Sequence, residues 1–255
     1  MSHKAHKSHA FGVDIGGSGI KGGIVHLETG LLKGKRIRLP TPQPSTPQVV
    51  AETVAKIVES AGWDGPVGIT LPSVITEGTV RTAANIDPSW IGVHAVDLFS
   101  GVLDGREVTV LNDADAAGLA EDKFGAAKDH AGVVLLLTFG TGIGSALIYR
   151  GTLVPNTEFG HMEVGGVEAE HRAASSVKDR DNLTYEQWAV EVSRVLEQFE
   201  KLLWPEVIVA GGGVSREAEQ WVPLLTNATP VVAATLHNTA GIVGAAMAVR
   251  DHLKP

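Results

Sequence analysis

The hydrophobic pattern opens in short alternating runs. From Phe11 the chain predicts a strand, a glycine-rich turn at residues 16–19, a second strand through "GGIVHL" and a third through "GKRIRLP", which together form a meander. The period then changes. In "TPQPSTPQVVAETVAKIVESAG", Thr46 reads as a helix N-cap and Pro47 as the first helical position, with Val50, Val54, Ile57 and Val58 on one face. "GPVGITLP" and "REVTVLND" are short buried strands. "ADAAGLAEDKFGAA" after them is a helix, begun by the side chains of Asn112 and Asp113, with Asp115 able to share the cap.

The same order then begins again. "AGVVLLLTFGTGIGSALIYRGTLV" gives strand, glycine turn, strand, and Gly140-Thr141-Gly142-Ile143 matches Gly17-Ser18-Gly19-Ile20 at an offset of 123 residues. An amphipathic helix follows in "TYEQWAVEVSRVLEQFEKLLWP", with Trp188, Val192, Val195, Phe199 and Leu202 on one face. The strand "EVIVAGGG" ends in a third glycine loop, and "GIVGAAMAVRDHL" closes the chain as a helix of small residues. A duplicated α/β fold with a cleft between its halves is the expectation.

Composition narrows the function. A chain of 255 residues with a formal net charge of −8 lacks the basic excess of a nucleic-acid or anionic-membrane binder, so a small ligand is expected. With no cysteine there is no thiolate chemistry, no disulfide and no cysteine zinc site, which fits a reducing cytoplasm. The start "MSHKAHKSHA" lacks the apolar core of a secretory signal, and no run reaches the roughly 20 apolar residues that span a bilayer. Residues 1–10 are expected to be a disordered tail, in which the spacing of His3, His6 and His9 carries no assigned function.

The glycines carry the chemistry. Gly17 to Gly22 fits G-x-G-x-x-G, but a dinucleotide fold needs a helix next and an acid about 20 residues on. Here "GIVHL" is strand-like, and no acid occurs between Glu28 and Glu52. Lys21, between Ile20 and Gly22, does not fit a Walker loop. What remains is a hairpin turn whose backbone N–H groups face a phosphate, with Ser18 or Thr141 adding a hydroxyl, beside the plain alternative of glycines that only build hairpins.

These segments resemble the ROK family of sugar kinases and regulators. "DIGGSGIKG" resembles the family's first phosphate loop, "LTFGTGIG" its second, "VLNDADAAGLAE" its catalytic strand and helix, "EFGH" its E-x-G-H sugar motif and "VAGGG" its adenosine loop. "DIGGSGIKGG" followed by "EVGGVEAEHRAAS" is most similar to the family's polyphosphate-using branch. The resemblance implies an actin-like (ribonuclease H-like) duplicated two-domain kinase with a central cleft. Its smaller domain is expected over 11–118 plus a C-terminal helix at 240–255, and its larger one over 119–239. Too few residues precede the first loop for the DNA-binding helices of the regulators. The family's Cys-rich zinc site cannot exist here, so no structural zinc is expected, and packing must position the loop that carries Glu170.

The implied activity is transfer of a phosphoryl group to the 6-hydroxyl of glucose, and also of mannose, from polyphosphate, ATP or both with Mg²⁺, by a monomer or homodimer. A non-catalytic sugar sensor of the same fold is the alternative. Asp113 is implied as the base. Asn85, Asn112, Glu158, His161 and Glu170 are implied as sugar contacts. Donor phosphates fall to Gly16, Gly17, Ser18, Gly19, Thr138, Gly140, Thr141 and Gly142, with adenosine at Gly211, Gly212 and Gly213. Asp14 would hold Mg²⁺ through water, and Lys21 is either a polyphosphate contact or a surface lysine. A basic track of Lys21, Arg172, Lys178 and Arg180 is expected to guide a long anion, although "SSVKDRD" also reads as a solvated loop.

Overall fold

The protein is described from a computed structural model covering residues 8–84 and 86–255. Contacts divide it into two units, residues 1–120 with 239–255, and residues 121–238.

The first unit begins with the predicted meander, β1 (His9–Ile15), β2 (Ile20–His26) and β3 (Leu31–Leu39). His9 and Ala10 already belong to β1, so the expected tail overran its end: His9 pairs with His26, and Ala10 is buried against the sheet's core. α1 (Pro47–Ser60) buries Val50, Val54, Ile57 and Val58 as its period requires, with Thr46 at the N-cap by backbone position, although its side chain makes no cap bond. β4 (Val67–Leu71) is buried throughout. The hairpin β5 (Ile75–Thr76) and β6 (Thr79–Val80), α2 (Ala95–Val102), β7 (Val108–Asn112) and α3 (Asp113–Phe124) follow. The strand order is β3-β2-β1-β4-β7, antiparallel through the meander and parallel from β1 to β7.

The second unit repeats this plan. β8 (Val133–Phe139), β9 (Ile143–Tyr149) and β10 (Thr152–Val154) form the meander, and β13 (Val207–Gly211) and β14 (Val231–Ala233) the parallel pair, in the order β10-β9-β8-β13-β14. Even the burial patterns agree, since β1 and β8 share one sequence of half-buried and buried positions and β4 and β13 are both wholly buried. Between the meander and the pair lie β11 (Glu163–Val164), β12 (Val167–Glu168), α4 (Ala169–Ala173), α5 (Ser175–Arg180) and α6 (Tyr185–Leu203), and α7 (Ala218–Trp221) precedes β14.

Three expectations change here. "SSVKDRD" is the helix α5, not a loop, because Val177 gives it an apolar anchor in the core. α6 buries Trp188, Val192, Val195 and Phe199, but Leu202 is 60% exposed, because Leu203 takes the inward position of the last turn. The closing helix α8 (Ala240–Arg250) stops at Arg250, where Asp251 caps it and His252 turns to positive φ.

α8 packs directly on the first sheet, and small residues make this possible. A Cβ on Gly12 would stand 1.8 Å from the Ile242 carbonyl oxygen, and one on Gly68 1.7 Å from that of Ala245. No helix among the described residues is long and apolar enough to cross a membrane.

Candidate active site

In the first unit the polar groups gather where parallel strands end. Asp14 stands opposite Thr70, and Leu71 opposite Asn112, so β1, β4 and β7 bring Asp14 and Asn112 to one edge, about 10 Å apart across two strand spacings. Asp14 is held on both oxygens: Thr70 Oγ1 donates to Oδ1 and Lys21 Nζ to Oδ2, each at 3.2 Å. The Gly16–Gly19 turn closes through the Gly16 N–H to the Gly19 carbonyl at 3.2 Å, and Thr41 Oγ1 donates to the Gly16 carbonyl at 2.5 Å. Gly17 and Ser18 are exposed, and nothing would touch a Cβ on Gly17. That leaves backbone N–H groups open to an anion. A cavity of about 300 Å³ adjoins the turn, lined in part by Gly16, Gly17, Thr41, Gln43, Ser45 and Asp87.

Asn112 is the cap of α3. Its Oδ1 accepts from the N–H groups of Ala114 at 2.8 Å and Asp115 at 3.2 Å, and its Nδ2 donates to the Ser73 carbonyl at 3.2 Å. Asp113 is half-buried at the first helical position, where its Oδ1 accepts from the Ala114 N–H at 2.8 Å. The helix N-terminus favours negative charge at that carboxylate.

In the second unit the Gly140–Gly142 turn closes through the Gly140 N–H to the Gly142 carbonyl at 2.9 Å. The start of α5 braces it: Ser175 Oγ donates to the Gly140 carbonyl at 3.1 Å and Ser176 Oγ to that of Thr141 at 2.7 Å. Thr138 lies opposite Gly211, and Gly212, at φ +84°, passes so close to Phe139 that a Cβ there would be 2.2 Å from its carbonyl oxygen. The second and third glycine loops are therefore packed together, while Gly140 and Gly213 remain open.

The E-x-G-H segment meets α4 nearby. His161 lies 3.4 Å from Glu168, 3.8 Å from Glu170 and 3.9 Å from Glu158. Glu170 Oε2 accepts from the Ile143 N–H at 3.3 Å, and it occupies the space a Cβ on Gly142 would need, 2.4 Å away. Gly160 is required for a similar reason, since its Cβ would be 2.2 Å from the Ile143 carbonyl oxygen. Burial pushes the Glu158 carboxyl above the usual range and neighbouring Glu170 adds to this, while His161 opposes it. Ligand atoms of His161, Glu168 and Glu170 fall within 4.8 Å of one another. Buried Ala169 and Ala173, with the Ala169 N–H donating to the Met162 carbonyl at 2.8 Å, anchor the segment in the core.

Each unit thus brings together its own share of the expected residues, Asp14 to Lys21 with Asn112 and Asp113 in the first, and Thr138 to Gly142, Glu158, His161, Glu170 and Gly211 to Gly213 in the second. Asn85 lies outside the described residues. Each cation of the expected basic track has an acidic neighbour: Lys21 has Asp14 at 3.2 Å, Arg172 has Glu191 at 2.6 Å, Lys178 has Asp179 at 3.5 Å and Arg180 has Asp181 at 2.8 Å. The residues that shape the turns, Thr41, Thr70, Ser175 and Ser176, escaped the sequence reading. Only the serine pair at a helix start offered a local signal.

The chain matches the ROK family over residues 10–174 and belongs to it. Its fold is the actin-like fold of the family's sugar kinases. It is 64% identical to the polyphosphate glucokinase of Mycobacterium tuberculosis over 94% of this chain and 91% of that protein, and 60% identical to the one of Mycobacterium leprae over 95% and 75%. Among solved structures, the inorganic polyphosphate/ATP-glucomannokinase from Arthrobacter sp. strain KM superposes with a TM-score of 0.90 at 47% identity, covering 96% of this chain and all of that one. A ROK family glucokinase from Streptomyces griseus in complex with glucose and AMPPNP follows at 0.82 and 27%, over 95% and 99%.

Proposed function

We propose that this protein is a glucokinase that transfers the terminal phosphoryl group of inorganic polyphosphate or ATP to the 6-hydroxyl of glucose, with mannose as a second acceptor. The observation that carries this reading is the 64% identity to a polyphosphate glucokinase along nearly the whole chain. Phosphoryl transfer asks a protein for positioning and charge neutralisation more than for covalent chemistry. The two glycine turns offer backbone N–H groups to donor phosphates, and Gly213, at the open end of Gly211 to Gly213, leaves room for a nucleoside. Asp113 accepts the proton of the attacking hydroxyl. Its carboxylate stands at the first position of a helix, and Asn112 fixes the chain beside it while contacting the sugar. Glu158, His161 and Glu170 offer acceptors and a donor to neighbouring hydroxyls of a pyranose, and Asn85 adds a further contact.

Mg²⁺ is the expected cofactor. Asp14 fits it through water, because Thr70 and Lys21 already engage both carboxylate oxygens. When bound, the ion supplies neutralisation of donor phosphate charge.

The test is glucose 6-phosphate formation with polyphosphate and with ATP, with Mg²⁺ or excess EDTA, for the intact protein and Asp113→Asn. Turnover that needs Mg²⁺ and falls by at least about 10²-fold in the variant supports the reading and the role of Asp113. Glucose binding without turnover on either donor refutes it in favour of a sugar sensor.

A further inference from the structure

The cations expected to guide a long anion each have an acidic neighbour, and the chain carries a second group of cations elsewhere. Between Glu28 and Glu52 the chain holds Lys33, Lys35, Arg36 and Arg38 and no acid, in a protein of net charge −8. All four lie on β3, which is the edge strand of the first sheet.

Register places the last of them in line with the donor machinery. Thr70 of β4 stands opposite Asp14 of β1, Asp14 opposite Lys21 of β2, and Lys21 opposite Arg38 of β3. Residues directly opposite share a face of a sheet, so these four form one row about 14 Å long, from the middle of the sheet to its edge. Within the row, Thr70 and Lys21 both serve Asp14. Arg38 is exposed, and among the described residues it makes no ion pair or hydrogen bond. Its guanidinium is nonetheless placed. It lies over Gly19 of the first turn, with Nε 2.7 Å and Nη2 3.0 Å from the position a Cβ would take. Glycine at 19 is what admits it.

Edge strands often carry lysines that block pairing with other chains. That accounts for Lys33 and Lys35. It does not account for a guanidinium folded back over Gly19 of a turn whose Gly17 and Ser18 are exposed.

We infer that Arg38 forms an outer phosphate subsite for inorganic polyphosphate, with the basic edge strand β3 as the path of the chain beyond the Gly16–Gly19 turn. The inference rests on the kinase reading above. A guanidinium binds phosphate oxygens with two parallel N–H donors, and a row of cations on an acidic protein gives a polyanion a local attractive field. ATP has three phosphates and then a nucleoside, whereas polyphosphate continues, so a cation past the turn serves the longer donor.

The experiment compares the intact protein with Arg38→Ala and Arg38→Lys. kcat/KM is measured with long-chain polyphosphate, tripolyphosphate and ATP. Direct binding of long-chain polyphosphate is followed by calorimetry at several salt concentrations, which needs no turnover. Arg38→Ala should lower the ratio of long-polyphosphate to ATP kcat/KM about tenfold, through KM more than kcat, with a smaller penalty on tripolyphosphate. The slope of log affinity against log salt should become shallower by about one, and Arg38→Lys should restore that slope while recovering only part of the affinity. Equal losses with all three donors would overturn the inference and leave Arg38 a brace for the turn. Unchanged polyphosphate affinity and salt slope would overturn it too, whether or not the intact protein turns over glucose. An intact protein inactive with both donors would instead overturn the kinase reading, leaving the binding result to decide the subsite.

Discussion

Glu121 is buried to 1% exposure, and its carboxylate accepts four hydrogen bonds. One carboxylate oxygen accepts from the Leu236 N–H at 2.7 Å, the other from the N–H groups of Ala126 at 2.8 Å and Thr235 at 3.1 Å and from the Thr235 hydroxyl at 3.3 Å. The second unit runs from residue 121 to residue 238, so this one side chain ties the two ends of that unit together. Gly125 makes room for it, since a Cβ there would be 1.9 Å from Oε2. A hydrogen bond to a charged group contributes about 1.5–3 kcal/mol, so three backbone bonds sum to a gross 4.5–9 kcal/mol. Water reaches the exposed Thr235 and offsets part of that, and the carboxylate's own desolvation offsets more. A net loss of about 3 kcal/mol is expected for Glu121→Ala. Glu121→Gln should lose about 2 kcal/mol despite its matching shape, because its amide sets a donor against a donor. Urea unfolding followed by tryptophan fluorescence checks both values. A change below about 0.5 kcal/mol in either variant, the size of an ordinary surface substitution, would refute the claim that this carboxylate fastens the ends of the second unit.

Two further outcomes follow from packing and charge. Gly68→Ala should unfold the protein or cost more than about 3 kcal/mol, because the carbonyl 1.7 Å from the new methyl is backbone and cannot turn aside, whereas Gly101→Ala, in α2 with nothing within 4 Å, should stabilise it by about 0.5–1 kcal/mol; thermal melts of the two variants give the signs. Glu158 has a folded pKa raised mainly by burial, so the folded state favours its neutral form. That contribution is whole below the unfolded carboxyl value and fades as pH rises through the folded one. The Tm of the intact protein should therefore fall relative to Glu158→Gln as pH climbs through and just above the usual glutamate range, and parallel Tm curves across that window would exclude a raised value.

Much of the fold is legible because its signals are local. Strand, glycine turn, strand is written twice in the sequence, and α1 and α6 bury the faces their periods define. Leu202 failed because a helical period says nothing about which of two adjacent leucines the last turn presents to the core. The run "SSVKDRD" failed because one buried valine outweighs six polar neighbours. At the candidate site, Asp14, Asn112 and Asp113 announce themselves by standing at the ends of apolar strands. Arg38 and Glu121 do not, since one acts through cross-strand register and the other through partners at residues 126, 235 and 236. No spacing in the sequence marks either relation.

The duplication also makes the two units comparable position by position, and the comparison separates their chemistry. Asp14 and Thr138 each take the next-to-last place in the first strand of a unit, at equivalent points of one burial pattern. Asp14 has Lys21 on one side and Thr70 on the other. Thr138 has Gly144 and Gly211. In the first unit the row is therefore filled with charge and extends to Arg38, which suits a site that must manage the anions and cation of a donor. In the second the same row is a hydroxyl between two glycines, with no charge at any of the three positions. One topology supplies both surfaces, and the side chains at three register positions decide which of them each unit presents.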